Sequence, residues 1–172
     1  MALYDLTEGI AKRNNDRQGG LKKVYLMEYV EYSRSQIVLN DQRITSMPTA
    51  TIYEYDVWTA SFDETKSREA GGEVYDQSLT FDIQGTQVSQ ELWKLARKNH
   101  HCIVMDRQGN GRFLGIWNGL EGIVNDKSGA GVSDMNGYSI TLSGKEDNQA
   151  YFISNLEAKF TIVKGTPDVC IG

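Results

Sequence analysis

Between Thr49 and Phe62 the side chains alternate, with Ile52, Glu54, Asp56, Trp58, Ala60 and Phe62 on one parity and Tyr53, Tyr55, Val57 and Thr59 on the other. A period of two is the spacing of a β-strand, whose successive side chains point to opposite faces, and it excludes a helix over this stretch. Glu73 to Gln84 resumes the pattern with Val74, Leu79, Phe81 and Ile83. The intervening Asp63 to Gly72 is polar and glycine-ended, which reads as a loop. Residues 49–84 therefore form a long hairpin in this reading. A tip of about ten residues exceeds the two to five usual for a hairpin, so it is expected to reach something beyond its own core.

The rest of the chain arranges itself around that hairpin. Residues 1–20 carry scattered polar side chains and end in Gly19-Gly20, the composition of an irregular arm ordered by neighbours. Leu21 to Tyr32, rich in β-branched and aromatic residues, reads as the first core strand. Val88, Leu92, Leu95 and Ala96 recur at helical spacing, with Thr86 and Ser89 as caps and Lys94, Arg97 and Lys98 at the C-terminal end, predicting one amphipathic helix over 88–99. His100 to Met105 and Arg112 to Trp117 flank the turn Asp106 to Gly111 as a second hairpin. After a loop at Asn125 to Asn136, Gly137 to Ser143 and Tyr151 to Val163 supply the last strands, with Gly144 to Asn148 as the turn between them. The fold class expected is mainly β (α+β): a barrel or sandwich of about seven or eight strands with one flanking helix.

Length and composition bound what such a fold can do. With 172 residues, 40% of them apolar, the chain suits a single globular domain over 1–172. No run approaches the roughly 20 apolar residues needed to span a bilayer, and the start lacks the basic and apolar regions of a signal peptide. Synthesis in a reducing cytosol is expected, with Cys102 and Cys170 as buried thiols. A net charge of -5 argues against a nucleic-acid reader, which needs clustered Lys and Arg.

Chemistry-bearing patterns are sparse. His100, His101 and Cys102 look like ligands, but on a strand at most His100 and Cys102 share a face and no second pair supports them. Asp134-Met135-Asn136-Gly137 begins like a calcium loop, yet Lys145 stands where the closing acid belongs. The glycines at 119–122 and 129–131 lack the Gly-Lys-Ser/Thr ending of a phosphate loop, and no Gly-x-Ser-x-Gly elbow is present. Trp58, Trp93 and Trp117 lie in strand and helix patterns, where packing is the commoner use. No catalytic residue, metal ligand or cofactor is assigned, and a non-enzymatic protein is expected.

The words Gly19-Gly20-Leu21-Lys22-Lys23-Val24-Tyr25, Leu92-Trp93-Lys94-Leu95-Ala96 leading through Ile103-Val104-Met105-Asp106 to Gly109 and Phe113-Leu114-Gly115, and Ser133-Asp134-Met135-Asn136-Gly137-Tyr138-Ser139-Ile140-Thr141-Leu142-Ser143-Gly144 carry a resemblance. With this order of elements, the chain resembles the tail-tube proteins of long-tailed bacteriophages, related to the tubes of contractile injection systems. The resemblance implies a virion protein assembled in the host cytoplasm, whose sheets join into hexameric rings that stack into a conduit for DNA ejection. It implies as partners other copies of the chain and further tail proteins (terminator, tape measure, baseplate or sheath), with DNA only as transient cargo and no membrane. Inter-subunit contacts are then expected at the hairpin tip, through Asp63, Glu64, Lys66, Arg68, Glu69, Gly71 and Gly72, and at Lys22 and Lys23. The basic pairs Lys22-Lys23 and Arg97-Lys98 should face outward or meet an acidic neighbour, leaving an acidic lumen. Two alternatives stay open: a neck or tail-terminator ring, and a non-catalytic β-sandwich module that binds a receptor or carbohydrate.

Overall fold

The computed structural model describes residues 20–55, 57, 59–84, 93–107, 109–131 and 137–164. Over these the chain is mainly β, with strands β1 (Leu21–Glu28), β2 (Val38–Asn40), β3 (Arg43–Ser46), β4 (Ala50–Tyr55), β5 (Thr59–Glu69), β6 (Gly72–Gln84), β7 (His100–Asp106), β8 (Gly111–Leu114), β9 (Glu121–Lys127), β10 (Gly137–Glu146), β11 (Tyr151–Ile153) and β12 (Phe160–Val163). A short helix α1 (Leu156–Lys159) separates the last two strands.

The strands form two sheets. One has eight strands in the order β12-β4-β1-β7-β8-β11-β3-β2, and the other has four long ones in the order β5-β6-β10-β9. Alternation within β1 explains how they stack. Val24 and Leu26 point into a core shared with Leu79, Phe81, Tyr138, Ile140 and Leu142 of the four-stranded sheet. Tyr25 and Met27 point the other way, into a second core with Ile44, Ile52, Phe113, Ile153 and Phe160. Because that second core draws on β4 and β12 from one end of the large sheet and on β3 from the other, the sheet curls around it without closing into a barrel.

Several sequence expectations are corrected here. The alternation from Thr49 to Phe62 is not one strand: β4 pairs with β1 and β12 in the large sheet, whereas β5 belongs to the small one. A strand that turns a corner between sheets keeps its period of two, so periodicity cannot reveal the switch. The hairpin is thus Thr59–Gln84, and Asp63 to Gly72 is no loop. Its strands pair without interruption from Thr59↔Asp82 to Glu69↔Gly72, leaving Ala70 and Gly71 as a two-residue turn. The outer part is polar on both faces because neither face is buried, which erases the hydrophobic alternation. Cross-strand pairs hold it instead, Lys66 to Glu73 at 3.2 Å and Arg68 to Glu73 at 3.9 Å.

Of the helix expected over 88–99, residues 88–92 lie outside the described residues, and only 93–95 are helical. The turn closes with Ala96 N–H to Trp93 O and Arg97 N–H to Lys94 O, three-residue bonds that tighten and end it. Among the described residues there are twelve strands, against the expected seven or eight. The additions are β2 and β3, joined by a tight turn with Asp41 and Gln42 at φ 50 and 65, and β9, whose glycine and asparagine content read as loop. The single strand expected over Tyr151 to Val163 divides into β11, α1 and β12, and the expected turn at Gly144 lies inside β10. The arm over 1–20, Trp58 and Cys170 fall outside the described residues, Gly20 excepted.

No helix among the described residues is long and apolar enough to cross a membrane.

Candidate functional site

The four-stranded sheet has two unlike faces, and register defines them. Facing the eight-stranded sheet stand the rows Ala60–Phe81–Ile140–Val124 and Phe62–Leu79–Leu142–Gly122. On the opposite face the rows read Thr59–Asp82–Ser139–Asn125, Ser61–Thr80–Thr141–Ile123, Asp63–Ser78–Ser143–Glu121 and Thr65–Asp76–Lys145. Among described residues this outer face is carpeted by short hydroxyls. Along these four rows it holds four carboxylates, Asp63, Asp76, Asp82 and Glu121, against one cation, Lys145, itself paired with Glu69 at 3.0 Å, and the register continues past them to Lys127, opposite Gly137, and to Glu69, opposite Gly72. Within these rows Ile123, 59% exposed on β9, is the apolar exception.

The sheet is also open laterally. Among the described strands, β5 pairs only with β6 and β9 only with β10, so each presents a row of backbone N–H and C=O groups without a partner strand. Long, flat edges of this kind template pairing with another chain.

Where the hairpin leaves the apolar core, buried polar groups take over. Gln77, only 2% exposed, donates from Nε2 to Glu64 Oε2 (2.9 Å) and accepts Gly115 N–H at Oε1 (2.9 Å). Glu64 Oε2 also accepts Ala150 N–H at 2.8 Å. Glu146, equally buried, accepts Asn118 N–H at 2.9 Å and Trp117 N–H at 3.3 Å. Burial pushes its carboxyl up to about 7, against the pull of these backbone donors and with a further push from Asp147. The loop fits under Glu146 through Gly115, at φ 67, where a Cβ would lie 2.8 Å from Leu120. Together these bonds fasten the small sheet to the β8–β9 connection.

The tip residues named from the sequence are placed differently from one another. Asp63 stands on the outer face, whereas Glu64 is turned inward, its Oε2 accepting from Gln77 and Ala150 of the same chain. Lys66, Arg68 and Glu69 make ion pairs within the chain, and Gly71 and Gly72 form the exposed end of the hairpin. Lys22 is exposed on β1, and Lys23 meets Glu54 at 3.1 Å. Lys98 meets Glu28 at 3.1 Å, so one member of each basic pair has its acidic neighbour in the same chain.

His100 and Cys102 share one face of β7 and His101 takes the other, as strand geometry requires. His101 is a packed ring: Nδ1–H donates to Gly115 O (2.7 Å), Nε2 accepts Val30 N–H (3.1 Å), and Tyr29, Tyr32 and Phe113 surround it at 5.0 to 5.4 Å. Burial lowers its pKa and raises that of the Cys102 thiol. No group of three His, Cys, Asp or Glu able to hold a metal exists among the described residues.

The hydroxyl carpet went unremarked in the sequence reading, although its signal is there. Ser78-Leu79-Thr80-Phe81-Asp82-Ile83 and Ser139-Ile140-Thr141-Leu142-Ser143 both alternate hydroxyl or acid with large apolar residues.

No protein-family model, no curated protein and no solved structure matches the chain.

Proposed function

We propose that the chain is the repeating subunit of a phage-type tail tube, a virion protein that works by polymerising. In this reading β5 of each copy pairs with β9 of the next. The four-stranded sheets thereby fuse into one continuous barrel whose inner surface is the hydroxyl and carboxylate face. The observation that carries the proposal is the union in one sheet of two open edges with a bare, polar, acid-rich face.

Two physical arguments support it. An even number of alternating strands per copy lets successive copies join antiparallel around a closed ring, and closure removes the edges that would otherwise aggregate. A lumen of short side chains in which carboxylates outnumber cations, and in which Lys145 is already paired with Glu69, offers phosphates few cationic holds, so DNA passes as cargo without being retained. Ring-to-ring contacts are head-to-tail and propagate a filament, which other tail proteins must start, measure and cap.

Negative-stain microscopy of the purified protein tests the reading. Rings with a central hole that stack into tubes are expected. A protein that stays a single ring at high concentration would instead be a neck or terminator ring, and a monomer that binds glycans would be a receptor module.

A further inference from the structure

Resting on that ring, we infer that Arg112 of one copy grips Asp126 of its neighbour, an inter-subunit charge pair that fixes the stagger between adjacent sheets. Arg112 lies on β8 beside Val104, on the face directed at the small sheet. Its guanidinium is held between two rings, 5.6 Å from Phe62 of β5 and 5.3 Å from Phe152 of β11. It lines a cleft of about 250 Å³ between the sheets, with Phe62, Ser61, Val104 and Asp106. Stacking between aromatic faces leaves the N–H edge of a guanidinium free to take a carboxylate. Among the described residues Arg112 has no acidic partner.

The matching acid sits on the four-stranded sheet, at the edge away from Phe62. Asp126 is exposed on β9, in the row with Tyr138 and Ile83, and is therefore directed to the side on which Phe62 lies. It too lacks an ion-pair partner among the described residues. Within one copy Asp126 stands on β9 while Arg112 stacks over β5, at opposite margins of the four-stranded sheet, where neither can serve the other. Joining β9 of one copy to β5 of the next brings those margins together.

Stagger decides whether they meet. If the row Phe62–Leu79–Leu142–Gly122 simply continued into the neighbour, Gly122 would face the neighbour's Phe62 and Asp126 would stand four residues further along. A closed barrel does not continue its rows. Strands tilt by ~35–45°, so across four strands spaced ~4.8 Å the register slips by ~13–19 Å, or roughly four to six residues at ~3.3 Å each. A slip of four in the matching direction sets Asp126 beside the neighbour's Phe62, under the guanidinium stacked on it. This estimate does not depend on the number of copies in the ring.

Charge reversal tests the pair, with ring formation followed by microscopy and sedimentation. R112E and D126R should each raise the protein concentration needed for rings by roughly tenfold or more, the scale of one charge-assisted pair. The double variant R112E/D126R should restore assembly. Circular dichroism of each monomer shows whether folding is intact, and recovery in the double variant separates a lost contact from a misfolded chain. Single variants that assemble like the wild type would overturn the pair while leaving the ring reading standing, as would a double variant no better than the singles. A wild-type chain that forms no rings would remove both.

Discussion

The two sheets of this protein are built from the same strand grammar and treated in opposite ways. The curled eight-stranded sheet has a core on each face, with Val24 and Leu26 on one side and Tyr25 and Met27 on the other. Among the described residues apolar contact covers one face of the four-stranded sheet only, and the other carries Thr80, Asp82, Ser139 and Thr141. A face left uncovered in a long-stranded sheet contributes little to its own stability, so its composition is free to answer to something else. In the proposed tube that something is the lumen.

The sharpest way to break this contrast uses adjacent residues of β6. Phe81→Ala removes a fully buried ring and should cost about 3–5 kcal/mol in denaturant unfolding. Thr80→Ala, one residue away on the bare face, should stay within about 0.5 kcal/mol. Comparable losses at both positions would mean that the outer face is packed against something in the isolated chain.

Next in size is the polar seam joining the sheets. Gln77→Ala strands the Gly115 N–H and removes one donor from Glu64 Oε2, with an expected loss of about 1–3 kcal/mol by thermal or chemical melting.

Glu146 makes the seam sensitive to pH. With its folded pKa raised from 4.5 to about 7, the folded state holds a proton that the unfolded chain has released. The associated stability is complete below pH 4.5 and is lost as pH rises through about 7. Melting temperatures of wild type and Glu146→Gln, compared at pH 4.5 and 8, should show the wild type losing more than the variant over that interval. The buried histidines act in the opposite sense, their lowered pKa favouring the fold as pH rises, but they are common to both proteins and drop out of the difference.

The smallest effect is expected at the hairpin end. Lys66→Ala removes an exposed pair with Glu73 and should change monomer stability by less than about 1 kcal/mol. A large loss there would show that the polar half of the hairpin contributes as much to folding as the apolar half.

Much of this was legible in the residues. Period-two patterning announced the β class and the strands at Leu21, Glu73, His100 and Gly137, because each has one face that must be buried. The hairpin beyond Glu64 was not legible: with neither face covered by the apolar core, its strand character rests on ladder bonds and cross-strand ion pairs, which composition does not encode. Nor was β9, whose Gly122 accommodates the backbone of Leu95, 2.6 Å from where a Cβ would lie. A glycine selected for close approach looks, in sequence, like a glycine selected for a turn.

What the sequence determined by itself is the alternation, and hence the pairing of large apolar with short polar side chains along β6 and β10. Tertiary structure alone decided which strands keep company. It sends β4 and β5 to different sheets although they are neighbours in the chain, lines up the hydroxyls of β6 and β10 into one surface, and leaves β5 and β9 at the margins. The physical reason is that strand identity is local, set by each residue's two faces. Sheet order and register are settled by which apolar faces can cover one another at a distance.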